Sequence, residues 1–306
     1  MKPARLRRGG VIHVVAPSSP PTVPMYRVAE AIDMLRSRGY RVTLGDSVKA
    51  LDPYTYRAAK PEVRARDINE AYRDPDVDVI VSVTGGAGAL DILEHLDYDL
   101  IKENPKVLVG YSDVTAIQNA IYARTGVPSL HAVMLQPRPG EPGGYSRDLE
   151  TALRILEGDM VEYTLRGYAR VMRGGLGEGF IVGGNLTMFT LLAASGMLPD
   201  IDGGVMFFED VNERGYKIGN MLQALRLRGL LDRTNGILLG EFSNTEDENW
   251  VVNLAVHSVI SETRAKPVLI GFPCCHGWRT YPLPIGSRVK IDGEELTVSM
   301  IEPLTE

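Results

Sequence analysis

Apolar positions in the first half of the chain fall into short runs separated by stretches of helical period. Residues 11–15 form the first run, and Val28, Ile32 and Leu35 then share one helical face that Gly39 brings to a stop. Residues 41–44 read as a second strand and residues 63–73 as a polar amphipathic helix ending before Asp74-Pro75. Residues 77–83 are a β-branched run that enters Gly85-Gly86-Ala87-Gly88. Residues 106–110 make another short buried run, followed by a turn and a helix with Val114, Ile117 and Ile121 on one face. Repeated β–α alternation with short buried strands predicts a Rossmann-like α/β domain, its mostly parallel sheet covered by helices. Ligands in such sheets gather beyond the carboxyl ends of the strands. The turns at 85–88 and 110–113 both lie there.

The pattern breaks at residues 136–144, which hold three prolines and three glycines in nine positions and cannot continue a helix or a central strand. Residues 147–156 read as a bridging helix. From Gly174 the texture changes to Gly-rich turns at 174–175, 183–184 and 203–204. Strands at 204–209 and 236–242 alternate with helices at 186–194 and 218–228. The tail reads as a hairpin turning at Asp292-Gly293. The expectation is an α/β domain over 1–142, a linker over 143–172, and an α+β domain over 173–306 rich in antiparallel, barrel-like strands.

Charge narrows the partners. Lys and Arg number 33 against 39 Asp and Glu, a formal charge of −6 over 306 residues. That balance argues against nucleic acid or an anionic membrane as partner, and 44% hydrophobic with 24% charged residues is an ordinary globular composition. Lys2, Arg5, Arg7 and Arg8 precede an apolar stretch as in a signal peptide, but that stretch is too short and is interrupted by His13. No apolar run approaches the roughly 20 residues that span a bilayer. The only cysteines, Cys274 and Cys275, are adjacent, which excludes a disulfide framework and predicts a reducing, cytoplasmic setting.

The sharpest local feature is the strand–turn–helix at 107–117. It lifts Ser112 above the sheet edge and points helix N-terminal amides beside it, the mechanics of a nucleophile elbow. Asp113 stands where the second glycine of that motif would be. The competing reading is that Ser112 or Asp113 merely caps the helix. The glycine turn at 85–88 lacks the Lys-Ser/Thr of a phosphate-binding loop and the spacing of a dinucleotide fingerprint. One of its amides can donate to a carbonyl oxygen, or it is simply a tight turn. A serine needs a base, and five histidines are available. His13 lies within a strand, His95 on a surface helix and His257 on a helix flank. His131, near a strand end, stays open as a cleft residue. His276 stands in a loop after the buried run 267–270, where catalytic groups concentrate. Glu209, at the end of an apolar strand, requires a partner, and His276 is one; a structural salt bridge is the alternative. Alternation along that strand predicts that Asp210 faces solvent. Cys274, Cys275 and His276 are contiguous and lack zinc-site spacing, so no metal is expected.

These segments resemble the LD-carboxypeptidase family of serine peptidases, which embraces muropeptide carboxypeptidases and microcin C self-immunity peptidases. The likeness is carried by Gly110-Tyr111-Ser112-Asp113, Gly183-Gly184-Asn185-Leu186, Phe208-Glu209-Asp210-Val211 and His276-Gly277, in family order across almost the whole chain. The resemblance implies a catalytic triad of Ser112, Glu209 and His276, with backbone amides of Gly86 and Asp113 as oxyanion hole. It extends to Gly85 and Asn185 as substrate contacts, to a homodimer, and to catalysis without metal or organic cofactor. The implied reaction releases terminal D-alanine from cytoplasmic murein tetrapeptides; cleavage of a peptidyl-nucleotide antibiotic or another amide is the alternative within the family. A non-catalytic peptide- or sugar-binding protein is the alternative outside it. Two departures bear on substrate. Thr84-Gly85-Gly86-Ala87-Gly88-Ala89-Leu90 replaces the family's Arg-Gly-Gly-Tyr-Gly-Ser-Asn, and Cys275 stands where glycine is usual.

Overall fold

The computed structural model describes residues 2–52, 55–137, 142–277 and 279–306, with backbone alone for 142–146. The first five strands are β1 (Val11–Val15), β2 (Arg41–Leu44), β3 (Val77–Ser82), β4 (Val107–Gly110) and β5 (Ser129–His131). They pair in parallel in the order β2-β1-β3-β4-β5. Helices Met25–Ser37 and Pro61–Arg73 cover the sheet, the first burying Val28, Ala31, Ile32 and Leu35. Every β4 residue is buried, as a central parallel strand covered on both faces demands.

The second half supplies β6 (Glu162–Thr164), β7 (Arg170–Arg173), β8 (Leu176–Asn185), β9 (Val205–Val211), β10 (Gly236–Ser243), β11 (Val268–Ile270), β12 (Leu283–Ile285), β13 (Arg288–Asp292) and β14 (Thr297–Met300). β8, β9, β10 and β11 are parallel neighbours, with β7 antiparallel at their edge. An antiparallel group of β13, β14 and β6 grows from the first half of β8. The short strand β12 joins the halves, antiparallel to β5 and parallel to β8, so one sheet order runs from β2 to β7. One apolar cluster spans the junction, drawing Leu108, Val114 and Ile117 from the first half and Phe207, Leu238 and Phe272 from the second.

Two local expectations change. Helix Pro142–Leu156 begins inside the Pro/Gly tract instead of after it, because proline is tolerated in a first helical turn; Arg138 to Glu141 lie outside the described residues. Gly183 and Gly184 are no turn but the end of β8, where a Cβ on Gly183 would come within 1.9 Å of Phe207 O and one on Gly184 within 2.6 Å of Thr115 Oγ1. Glycine at 183 lets β9 lie close, and glycine at 184 lets helix Thr115–Thr125 press against the second half; the residues of that helix from Thr115 to Ile121 are all buried. Polar side chains on the helix stitch the contact: Asn119 Nδ2 donates to Gly183 O at 2.8 Å and Gly183 N to Asn119 Oδ1 at 3.1 Å. No helix among the described residues is long and apolar enough to cross a membrane.

Candidate active site

The chain leaves β4 through Gly110, where a Cβ would sit 2.9 Å from Val114 Cγ1, so only glycine permits so tight a turn. Ser112 then adopts φ +62°, a left-handed conformation uncommon for a residue with a side chain. Strain at one such residue, of order 1–3 kcal/mol, persists only where its surroundings enforce it and clusters at functional sites. Ser112 does not cap the following helices: neither the turn Ser112–Val114 nor helix Thr115–Thr125 has a side-chain cap. Asp113 caps a different helix. Its Oδ2 accepts from Ala89 N at 2.8 Å, at the start of helix Ala89–Ile92, which locks the glycine turn to the serine turn. Burial pushes the Asp113 carboxyl above its ordinary range.

The glycine turn faces Ser112 directly: a Cβ on Gly85 would lie 2.9 Å from Ser112 Cβ and 3.1 Å from its Oγ. Gly86 has φ +107°, and a Cβ there would meet Ser19 Oγ at 2.2 Å. Ser19 braces the turn from the loop after β1, its N–H donating to Gly85 O at 3.1 Å and its Oγ accepting from Ala87 N at 3.1 Å. Behind it, the wholly buried Arg64 guanidinium donates to Gly88 O at 2.8 Å and also to Pro17 O, tying the same two loops. The sequence reading missed both braces, because each acts through backbone groups far away in the chain. The Asp113 amide lies in the first turn after the strand, where N–H groups have no intrahelical acceptor.

On the other side of the junction, Glu209 lies in β9 beside Asn185 of β8 and is fully buried. Its Oε2 accepts from His276 Nδ1 at 2.7 Å, and the His276 side chain retains 18% exposure. The His276 loop is shaped by Gly277, where a Cβ would strike Glu241 Oε2 at 1.9 Å. Tyr111, next to Ser112, meets the His276 ring edge-on with centroids 5.1 Å apart. The Ser112 turn and the His276 loop are therefore neighbours, although no hydrogen bond joins Ser112 to His276 among the described residues. Catalytic hydrogen bonds are often unformed in the absence of substrate.

Asp210 is a correction: it is 3% exposed, not solvent-facing. The opposite face of β9 is covered by helix Leu186–Ala194, and Asp210 accepts from Thr187 N at 2.9 Å, Thr187 Oγ1 at 2.8 Å and Asn185 Nδ2 at 2.8 Å. Strand alternation does send it away from Glu209, but into a second helix-covered face. Asn185 caps that helix through Met188 N and holds Asp210, so its amide is committed to the protein. His131, the histidine left open, is fully buried at the end of β5. It contacts Cys275 Sγ through Nε2 at 3.0 Å and the Phe207 ring at 5.4 Å. Burial holds its pKa down at about 4. His13 bonds Thr43 Oγ1 from within β1, while His95 is exposed and His257 sits on helix Asn249–Ile260.

Comparison with known proteins matches both halves of the chain to one family. Residues 12–132 match the LD-carboxypeptidase N-terminal domain and residues 178–291 the LD-carboxypeptidase C-terminal domain. The chain is 30% identical to the "Probable murein peptide carboxypeptidase" of Bacillus subtilis, over 97% of this chain and 93% of that protein. It is 29% identical to the microcin C7 self-immunity protein MccF of Escherichia coli, over 98% and 95% respectively. A solved structure of MccF in complex with glutamyl sulfamoyl guanosine superposes with a TM-score of 0.90 at 26% identity, covering 100% of this chain and 99% of that one. The muramoyltetrapeptide carboxypeptidase of Oxalobacter formigenes superposes with a TM-score of 0.81 at 27% identity, covering 95% and 97%.

Proposed function

The chain belongs to the LD-carboxypeptidase family, and from that premise we propose that it is a cytoplasmic serine carboxypeptidase, acting as a homodimer, that releases terminal D-alanine from murein tetrapeptides. The observation that carries the reading is the pairing of a left-handed Ser112 under a glycine turn with a neighbouring His276 held by buried Glu209 at 2.7 Å. In the proposed mechanism Ser112, from the unit 1–142, attacks the carbonyl of the scissile L,D bond while His276 Nε2 takes its proton. Glu209, from the unit 173–306, fixes the tautomer with Nε2 unprotonated and stabilises the imidazolium that forms. The amides of Gly86 and Asp113 receive the oxyanion, each donor contributing about 2.7–4 kcal/mol by analogy with other serine hydrolases. His276 then protonates the departing amine, and water attacks the acyl-enzyme. Gly85 keeps the space above Ser112 open to substrate. The role given to Asn185 becomes an indirect one, holding the strand ends beneath the site.

Mass spectrometry of murein tetrapeptide after incubation with the protein tests this: loss of one alanine is expected with the native chain and none with Ser112→Ala. Hydrolysis at native rate by a folded Ser112→Ala protein would refute the assignment. A second reading, an amide hydrolase acting on peptidyl-nucleotide compounds, is favoured by the higher structural similarity to MccF, 0.90 against 0.81. A parallel assay on an aminoacyl sulfamoyl adenylate decides between them by kcat/KM.

A further inference from the structure

Beneath the proposed relay, three side chains from three separate elements converge. His131 at the end of β5, Glu209 on β9 and Cys275 in the loop after β11 are each fully buried. One ligand atom from each lies within 4.8 Å of the other two, and His131 Nε2 and Cys275 Sγ are 3.0 Å apart. No spacing in the sequence announces the set, since the pair in direct contact, His131 and Cys275, is separated by 144 positions. The contiguous Cys274-Cys275-His276 run had pointed away from a metal; the fold replaces it with a different trio.

Imidazole, carboxylate and thiolate together suit a borderline-soft divalent ion. Bonds of about 2.0–2.3 Å place donors on a tetrahedral shell roughly 3.3–3.6 Å apart, so closure needs a modest movement of three ligand atoms that already lie within 4.8 Å of one another. Charge also balances. A thiolate and a carboxylate neutralise a dication, which a buried site requires. Binding would form a metal–sulfur bond and release the Cys275 proton to solvent, with no change of oxidation state.

We propose that His131, Glu209 and Cys275 form a binding site for a divalent transition-metal ion of the zinc class, and that filling it inhibits the enzyme. The inhibitory half rests on the proposed function. Glu209 is also the acceptor for His276 Nδ1, and a carboxylate drawn onto a metal no longer orients that imidazole. Cys275 is the natural point of test because its φ of +61° is a conformation glycine adopts freely, so Cys275→Gly removes the sulfur without opposing the backbone.

The experiment titrates Co²⁺ into the Ser112→Ala protein and into the same protein carrying Cys275→Gly. The expected result is a thiolate-to-cobalt charge-transfer band saturating at one equivalent, displaced by Zn²⁺, and absent from the Cys275→Gly protein. Absence of the band, or an equal band in both, overturns the site. In the hydrolysis assay, with each rate taken relative to the same protein in chelator, Zn²⁺ should slow the native chain at least roughly tenfold, since loss of an orienting carboxylate costs far more than that. Equal slowing of Cys275→Gly overturns the inhibitory role. The band is read in a protein lacking the nucleophile, so a failed hydrolysis assay condemns the functional reading and leaves the metal site to be judged on its own.

Discussion

The two sides of the candidate site control their reactive groups by different means. On the serine side the control lies in the backbone. Gly110, Gly85 and Gly86 each stand where a Cβ would collide with a neighbour, and Ser112 is forced to φ +62° between them. On the histidine side the control lies in side chains: Glu209 holds His276 at 2.7 Å, while Asp210, one residue on, anchors Asn185 and Thr187. A backbone device fails when a methyl group is added. A side-chain device fails when a charge or an acceptor is taken away. The two sides should therefore break in distinguishable ways.

The largest effect is expected on the side-chain half. Glu209→Gln preserves shape but replaces the carboxylate with an amide that cannot stabilise the imidazolium. On the proposed relay kcat should fall about 10³–10⁴-fold, with KM changed little because Glu209 is buried beneath His276 and not in the cleft. Steady-state kinetics on a murein tetrapeptide check this. Retention of a tenth of native kcat would reduce Glu209 to a structural partner of His276.

The backbone half predicts a smaller but two-part loss. Gly86→Ala places a methyl 2.2 Å from Ser19 Oγ at a φ of +107°. The turn must shift, costing about 1–3 kcal/mol of stability, and the amide proposed for the oxyanion moves with it. A kcat reduction of about 10²-fold is expected from one misplaced donor. Denaturant midpoints and kinetics measured on the same variant separate the two costs. Normal kcat despite lowered stability would remove Gly86 from the oxyanion hole.

That contrast also explains what the sequence made legible. Backbone devices are written locally: strand, glycine turn and helix follow one another within a few residues, so 85–88 and 107–117 stand out in the chain itself. Glu209 is legible for a related reason, a charge closing an apolar strand that must find a partner. Asp210 is not, because alternation tells which face a residue takes and not what covers that face; helix Leu186–Ala194 is the missing fact. Gly183 and Gly184 mislead similarly, since adjacent glycines signal a turn unless a neighbouring strand and helix are known to press on them. Ser19 and Arg64 brace the glycine turn through backbone atoms, and such contacts leave no trace in residue spacing.

His131 sits where the two kinds of control meet, and it offers the smallest and most specific test. It belongs to β5 of the first half but touches Cys275 and Phe207 of the second, with Tyr111 at its edge. Burial is the main cause of its low pKa, about 4; Glu209 pulls it upward and His276 downward. The unfolded chain binds a proton at this residue below about pH 6.5, whereas the folded chain does so only near 4. Between those values the unfolded state holds more protons, so this residue's contribution is intact above 6.5 and is lost as pH falls. The loss amounts to about 2 kcal/mol between pH 6.5 and 5. His131→Gln, which has no proton to gain, should lack that part of the acid slope. Urea midpoints of both proteins at pH 7 and pH 5 give the difference directly. Parallel acid slopes would show that the second half admits a charged imidazole at the junction, so that side chains, and not the packed backbone, set the conditions there.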